Sequence, residues 1–334
     1  MKQRTAPLLS LLGISAAVAL AACSSGTSDD VADEASQGAT TRSHVTGRFA
    51  LNLNGQFAGY IRSVSGGGIQ IPQVDTSTVE RVGMPRYGHL KMEIGFGMSP
   101  EVYDWIDQSW KTPYARKDGS IIAADFNLNA KSEREFFHAL VTETVIPACD
   151  GASKEPGYMR VTFSPETVRS KAVDAGVKMT EASSQKTFLP SNFRFELGDL
   201  DTKKVNKIDA ITVRRVQAVD VLGNEGPPDT VAYSDVTVHL PESEVAAWSK
   251  WLDASKAAGA KAEKKSGALV YLEADRQKEL ARLTLSGMGI FSITPDKSEA
   301  NDDKIKRVTV RLRPESMSFK APGVVVERDA GANR

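Results

Sequence analysis

An apolar pattern that returns after 146 residues constrains this chain more than any other feature. Phe49 and Leu51 fall on Phe195 and Leu197, and Tyr87, Leu90, Met92 and Ile94 fall on Tyr233, Val236, Val238 and Leu240. Trp105-Ile106-Asp107 meets Trp251-Leu252-Asp253 at the same spacing. Past two extra residues in the second copy, Gly119 matches Gly267 and Pro147 matches Pro295. Past one more, Val161, Phe163, Pro165 and Glu166 match Val310, Leu312, Pro314 and Glu315. A register held over so long a stretch predicts one structural unit built twice.

Within each copy, apolar and polar residues alternate with period two, the signature of a strand with one buried face. Phe49, Leu51 and Leu53 make one such run; Leu90, Met92 and Ile94 make another, and Met159, Val161 and Phe163 a third. Residues 133–146 place Phe137, Ala139, Val141 and Val145 on one parity. The second copy answers with Leu283, Leu285, Gly287, Gly289, Phe291 and Ile293, whose glycines predict a strongly curved strand. One helix interrupts each copy. Ser99-Pro100-Glu101 supplies an N-cap, a proline at the first helical position and an early acid, followed by the stripe Val102, Trp105, Ile106 and Trp110. The second helix starts at Pro241-Glu242 and continues through Val245, Trp248 and Leu252. Both stripes, with Trp105, Ile106, Trp251 and Leu252 as core residues, are expected to pack on the sheets. The fold class expected is mainly β: two tandem antiparallel β-barrel or sandwich domains, each with one flanking α-helix.

The N-terminus reads as an export signal. Lys2 and Arg4 precede an almost wholly apolar run of small residues, 6–22, which is short for a membrane span. It ends Leu20-Ala21-Ala22-Cys23, which resembles the bacterial lipobox, so Cys23 is the expected lipidation site and the chain is expected to be lipid-anchored. Ser rather than Asp at position 24 favours the outer membrane, by resemblance to common sorting behaviour. Residues 23–46 hold almost no large apolar side chain and read as a disordered tether. The domain plan is then signal peptide 1–22, tether 23–46, copy one 47–168, linker 169–190, copy two 191–319 and a disordered tail 320–334.

Charge and residue chemistry exclude several functions. Lys plus Arg and Asp plus Glu are each 42, which gives no field for a nucleic-acid partner. The four histidines, His44, His89, His138 and His239, are scattered without metal-ligand spacing, and no G-x-S-x-G elbow occurs. Gly66-Gly67-Gly68 lacks the Lys-Ser or Lys-Thr of a phosphate loop, and residues 296–303 lack the central glycine and final glutamate of a calcium loop. No catalytic residue, cofactor or metal is therefore expected, and the chain is not read as an enzyme. Cys149 reads as a buried hydrophobe.

The first copy runs Arg48-Phe49 to Asn54-Gly55, then Val64-Ser65-Gly66, Tyr87-Gly88-His89-Leu90 and Tyr103-Asp104-Trp105-Ile106. Asp150-Gly151, Lys154-Glu155-Pro156 and Phe163-Ser164-Pro165-Glu166 follow. This order resembles the tail-tube protein family of contractile phages and phage-derived injection systems. The second copy lacks the V-S-G step and keeps the strand pattern, Trp251-Leu252-Asp253 and Arg313-Pro314-Glu315. The resemblance implies a barrel whose long hairpin pairs with a neighbouring subunit, so that self-association builds a ring. For a chain with two copies, it implies three chains with pseudo-sixfold symmetry. Gly66, Gly67, Gly68, Val79 and Val82 in copy one, and Val216 and Val219 in copy two, are the assembly-hairpin residues on this reading. On the residues alone, each hairpin reads equally well as internal to its own domain. Expected partners are the chain itself, a membrane through the anchor, and other tube or envelope proteins. The competing reading is a monomeric envelope-anchored module that binds glycan or protein through aromatics such as Tyr114 or Tyr158.

Overall fold

The computed structural model describes residues 47–71, 73–76, 79–82, 85–174, 176–179, 188–219, 225–297, 299 and 305–322. Cys23, with the signal and tether around it, lies outside them. No helix among the described residues is long and apolar enough to cross a membrane.

Copy one opens with β1 (Arg48–Leu53) and β2 (Gln56–Gly66), turned at Asn54-Gly55. An extension follows in which β3 (Ile69–Gln70) pairs with β6 (Arg86–Tyr87), and β4 (Gln73–Thr76) with β5 (Val79–Val82). Next come β7 (Leu90–Ile94), α1 (Pro100–Ser109), β8 (Lys117–Ala124) and the long β9 (Ala130–Ile146). β10 (Cys149–Asp150), β11 (Met159–Ser164) and β12 (Thr167–Lys171) complete the copy. The pairing order β11-β7-β2-β1-β8-β9 returns to its start, because β9 also pairs β11, and six strands close into a barrel. Leu51, Leu53, Leu90, Met92, Ile94, Val161 and Phe163 fill it from alternate positions, as their period-two spacing predicts. The proline at the start of α1 and the stripe behind it set the helix across the barrel, where Trp105 and Ile106 are fully buried. The Trp105 indole stacks on Phe136 at 6.4 Å and meets Phe163 at 5.5 Å.

Copy two contributes β13 (Phe193–Leu197), β14 (Lys207–Ile208), β15 (Ile211–Val219), β16 (Glu225–Tyr233) and β17 (Val236–Pro241). It continues with α2 (Ala246–Ala258), β18 (Lys265–Leu272), β19 (Glu279–Pro295), β20 (Arg307–Arg313) and β21 (Ser316–Lys320). The order is β10-β14-β17-β20-β19-β18-β13 with β21 on β19, a nearly closed barrel in which no pairing joins β13 to β14. Trp248 and Trp251 of α2 are buried, while Leu252 packs against the core only partly covered. The second helix starts later than Pro241-Glu242 predicts, since residues Glu242–Glu244 form a 3-10 turn first.

Strand registers show how the two barrels correspond. Phe163↔Val141 is answered by Leu312↔Ile290, and Thr167↔Phe137 by Ser316↔Ser286, a constant spacing of 149. The third extra residue of copy two thus sits in the β18–β19 turn. The structural counterpart of Pro295 is Ile146 and not Pro147, one residue away from the sequence match.

The parity expected along β9 and β19 also needs correction. Phe136 is buried and Phe137 is not, with Arg169 lying over the Phe137 ring at 5.1 Å. In β19, Leu283 and Leu285 point inward as expected, but beyond Gly287 it is Met288 and Ile290 that are buried, while Phe291 is 43% exposed. The cause is a residue with positive φ at the same place in each barrel, His138 (φ 51) and Gly287 (φ 63). Such a bulge shifts the side-chain alternation by one, so a pattern read straight through it assigns the wrong face.

Candidate assembly interface

The hairpin of copy two sits neither within its own barrel nor free. β15 pairs antiparallel with β9 of barrel one through Ile211↔Ile146, Thr212↔Val145, Val213↔Thr144 and Arg214↔Glu143, and β16 pairs on its far side. Further along the same two segments β10 pairs β14 in the second sheet, so copy two is stitched to copy one by two neighbouring ladders. Ile211 and Val213 are buried over Ile146 and Thr144, and this burial accounts for the inward positions of the alternating run.

Polar fasteners fix that seat. Arg215, on β15, is buried, and its Nε donates to the Ser109 carbonyl at 2.7 Å while a second guanidinium nitrogen donates to the Lys111 carbonyl. These carbonyls lie at the C-terminal end of α1, where acceptors are left over and a cation is favoured. The same guanidinium lies over the Tyr114 ring at 4.3 Å. Arg214 pairs with Glu143 across the ladder. From β21, the Phe319 N–H donates to Asp107 Oδ1 at 2.8 Å, tying copy two to the face of α1.

Around these bonds lies an aromatic cluster drawn from both copies. Phe319 meets Phe96, Tyr103 and Trp110 at 6.1, 5.9 and 6.3 Å. Phe96, Phe188 and Tyr271 close on one another at 4.8 to 5.2 Å. Phe188 comes from the stretch expected as linker, and Met179 of the same stretch is buried in a small cluster with Ala50 and Ala124. Cys149 is buried beside Tyr271, and burial pushes its thiol well above the ordinary range against a hydrogen bond with Tyr271. Burial likewise raises Tyr103, whose hydroxyl donates to Gly95 O and accepts from Met98 N.

Of the residues expected at assembly hairpins, Gly66 and Gly67 adopt positive φ where β2 leaves the barrel. A Cβ on Gly66 would stand 2.0 Å from the His89 carbonyl oxygen, so the step tolerates only glycine. Gly68 has open space around it. Val79 and Val82 belong to β5; their side chains lie outside the described residues. Val216 is exposed on β15, and Val219 pairs with Glu225 near the hairpin end. Sequence reasoning picked out Val216 and Val219 in this hairpin but missed Arg215. Its only signal is a cation at an inward position of an alternating run.

Other polar groups do not converge on these. His138 pairs with Glu166 at 3.3 Å, and His239 lies between Asp209 at 3.3 Å and Thr309 at 3.1 Å. Among the described residues no three His, Cys, Asp or Glu side chains are grouped to hold a metal ion. Tyr158, like Tyr114, carries a guanidinium over its ring, that of Arg62 at 4.4 Å.

No family model matches the chain, and no curated protein does. Solved structures do. The tube–sheath complex of an extracellular contractile injection system matches at 20% identity and TM-score 0.36, over 42% of this chain and 98% of the other. The tube-terminating cap of the anti-feeding prophage matches at 19% and 0.36, over 43% and 100%. Hcp1 from Flavobacterium johnsoniae matches at 20% and 0.29, over 38% and 96%. The folds this one is similar to are thus those of tube, tube-cap and Hcp proteins, at scores that leave the role of this chain to its own geometry.

Proposed function

We propose that this protein is a structural, membrane-tethered subunit that self-associates into a ring, with three chains supplying barrels in pseudo-sixfold symmetry. The observation that carries the reading is the seating of β15 on β9, a barrel-to-barrel joint made by a hairpin inside a single chain. A joint of this kind is heterologous, a hairpin on one side and a strand edge on the other, and repeating it between chains closes a ring when the rotation allows. The hairpin residues Gly66, Gly67, Gly68, Val79 and Val82 belong to the half that faces the next chain, whereas Val216 and Val219 belong to the hairpin already used within the chain. The apolar run 6–22 and the Leu-Ala-Ala-Cys junction support lipidation at Cys23, and Ser24 supports delivery to an outer membrane. Residues 24–46 then act as a polar spacer between lipid and ring. Other tube or envelope proteins are partners where rings stack.

Light scattering of the full chain purified from membranes in detergent tests this. A three-chain mass with six-lobed particles by electron microscopy is expected, along with an acylated Cys23 peptide by mass spectrometry. Replacing residues 68–82 by a short Gly-containing turn should keep the barrels folded and abolish the particles. A parent protein that is monomeric at every concentration overturns the reading.

A further inference from the structure

We infer that the joint between chains adds residues 67–70 of one copy of this protein to the bare edge at residues 292–295 of the next; the inference rests on the ring reading above. Its basis is the difference between two structurally equivalent edges. In barrel one, β8 covers β9 as far as Lys117↔Ala139, and β15 then takes over that edge at residues 143–146. In barrel two, β18 covers β19 as far as Lys265↔Met288, and no described strand takes over beyond it. The spacing of 149 makes residues 292–295 the counterpart of 143–146. Among the described residues they pair with β20 alone, which leaves a row of backbone groups open on the other side.

Among the described residues the matching hairpin half is equally bare. Ile69↔Tyr87 and Gln70↔Arg86 repeat the pairs Val213↔Tyr233 and Arg214↔Ala232, so residues 67–70 are the counterpart of 211–214. Val213 is 1% exposed under its joint, while its equivalent Ile69 is 59% exposed and Ile71, two residues on, is 56% exposed. Exposed isoleucines on a strand with one unpaired side, and an exposed Phe291 beside the bare edge, are the two faces of one contact when a second copy supplies the hairpin. Carrying the observed register across gives Gly68 opposite Thr294, Ile69 opposite Ile293 and Gln70 opposite Ser292. Pro295 has no N–H to give and ends the ladder there.

The two joints differ in what surrounds the ladder. Arg215, which clamps the end of α1 inside the chain, corresponds to Ile71, so the joint between chains has no such clamp. It is held by backbone pairing and by the apolar contact of Ile69, Ile71 and Phe291.

Paired cysteines test the register in the full chain. Opposite residues on antiparallel strands lie at Cα distances of about 4.5–5.5 Å, within reach of a disulfide. Ile69→Cys combined with Ile293→Cys should therefore give covalent dimers and trimers on a non-reducing gel, and each single variant should not. Native Cys149 is buried, and any background from Cys23 shows in the single variants. The reduced double variant must keep the particle mass of the parent, which shows that it folds. As a second variant, Ile69→Pro, which removes an exposed N–H that points away from β6, should lower that mass to one chain while leaving circular dichroism unchanged. Parent-sized particles that never cross-link, and that survive Ile69→Pro, overturn the joint but leave the ring. A disulfide confined within one chain also overturns the joint. A monomeric parent overturns both.

Discussion

Barrel one closes and barrel two does not, and the difference lies in one stretch of each copy. In copy one, Gln56–Gly66 carries Phe57, Ala58, Tyr60 and Ile61 and threads as β2 between β1 and β7. The same place in copy two reads Gly198-Asp199-Leu200-Asp201-Thr202-Lys203-Lys204, which offers a single apolar residue and forms a loop plugged by Leu200 and Val205. Barrel two makes up the deficit from its neighbour: β10 of copy one pairs β14, and the aromatic cluster of Phe96, Phe188, Tyr271 and Phe319 spans both. A repeat that loses its own closing strand becomes dependent on the other copy, so the two barrels are expected to unfold as one cooperative unit.

The largest test of that dependence is separation. Residues 191–322 alone should lack a cooperative urea transition, whereas the whole chain should show one transition by tryptophan fluorescence and by circular dichroism. Two well-resolved transitions would mean that the barrels are independent.

Next comes the contrast between the helix cores. Trp105→Ala should cost about 3–5 kcal/mol in urea denaturation, because its indole is fully buried against Phe136 and Phe163. Trp251→Ala should cost less, since Trp251 keeps a slightly exposed edge, donating to Glu263 O at 3.0 Å with Lys265 over the ring. Equal losses would put the two helices on the same footing.

Arg215→Leu should destabilise by about 2–3 kcal/mol, because it strands the buried Ser109 carbonyl at the end of α1 and removes the bond to the Lys111 carbonyl. Hydrogen exchange should quicken in β15 and β16 before it does in β19. Unchanged exchange there would mean that the guanidinium does not hold the hairpin.

The two bulge positions sharpen the comparison further. Gly287→Ala should cost about 1–3 kcal/mol, since φ is positive and the added Cβ meets the Glu315 carboxylate at 2.1 Å. His138→Gly should stay within about 1 kcal/mol of the parent, relief of its left-handed backbone being offset by the entropy of glycine and loss of the Glu166 pair.

The smallest effect is one of pH. A hydrogen bond from Arg282 holds Glu279 below the usual carboxylate range. Glu196 is also lowered, as burial that would raise it is outweighed by hydrogen bonds from Arg194 and Arg282. Folded-state pKa values below the unfolded ones mean that this stabilisation is full above the ordinary carboxylate value. It is lost as pH falls through the folded values. Glu279→Gln should narrow the gap between urea midpoints at pH 7 and pH 3.5 by the equivalent of less than about 1 kcal/mol, because these groups are partly solvated.

Elements whose causes are local were legible in the residues. Period-two runs became strands, the proline and the tryptophan stripe placed α1, and the repeat announced two barrels, because alternation and capping act over a few residues. Tertiary pairing settled where the alternation slips, at His138 and Gly287, since a bulge is positioned by what the strand must pair with on each side. It also decided that Phe137 faces outward, that Phe188 joins the core, and that the second hairpin seats on β9. A strand edge is satisfied by any backbone of suitable length and face, so its partner is chosen by which edges remain uncovered after the barrels close, and the one trace of that choice noted in the hairpin is Arg215, a cation at an inward position.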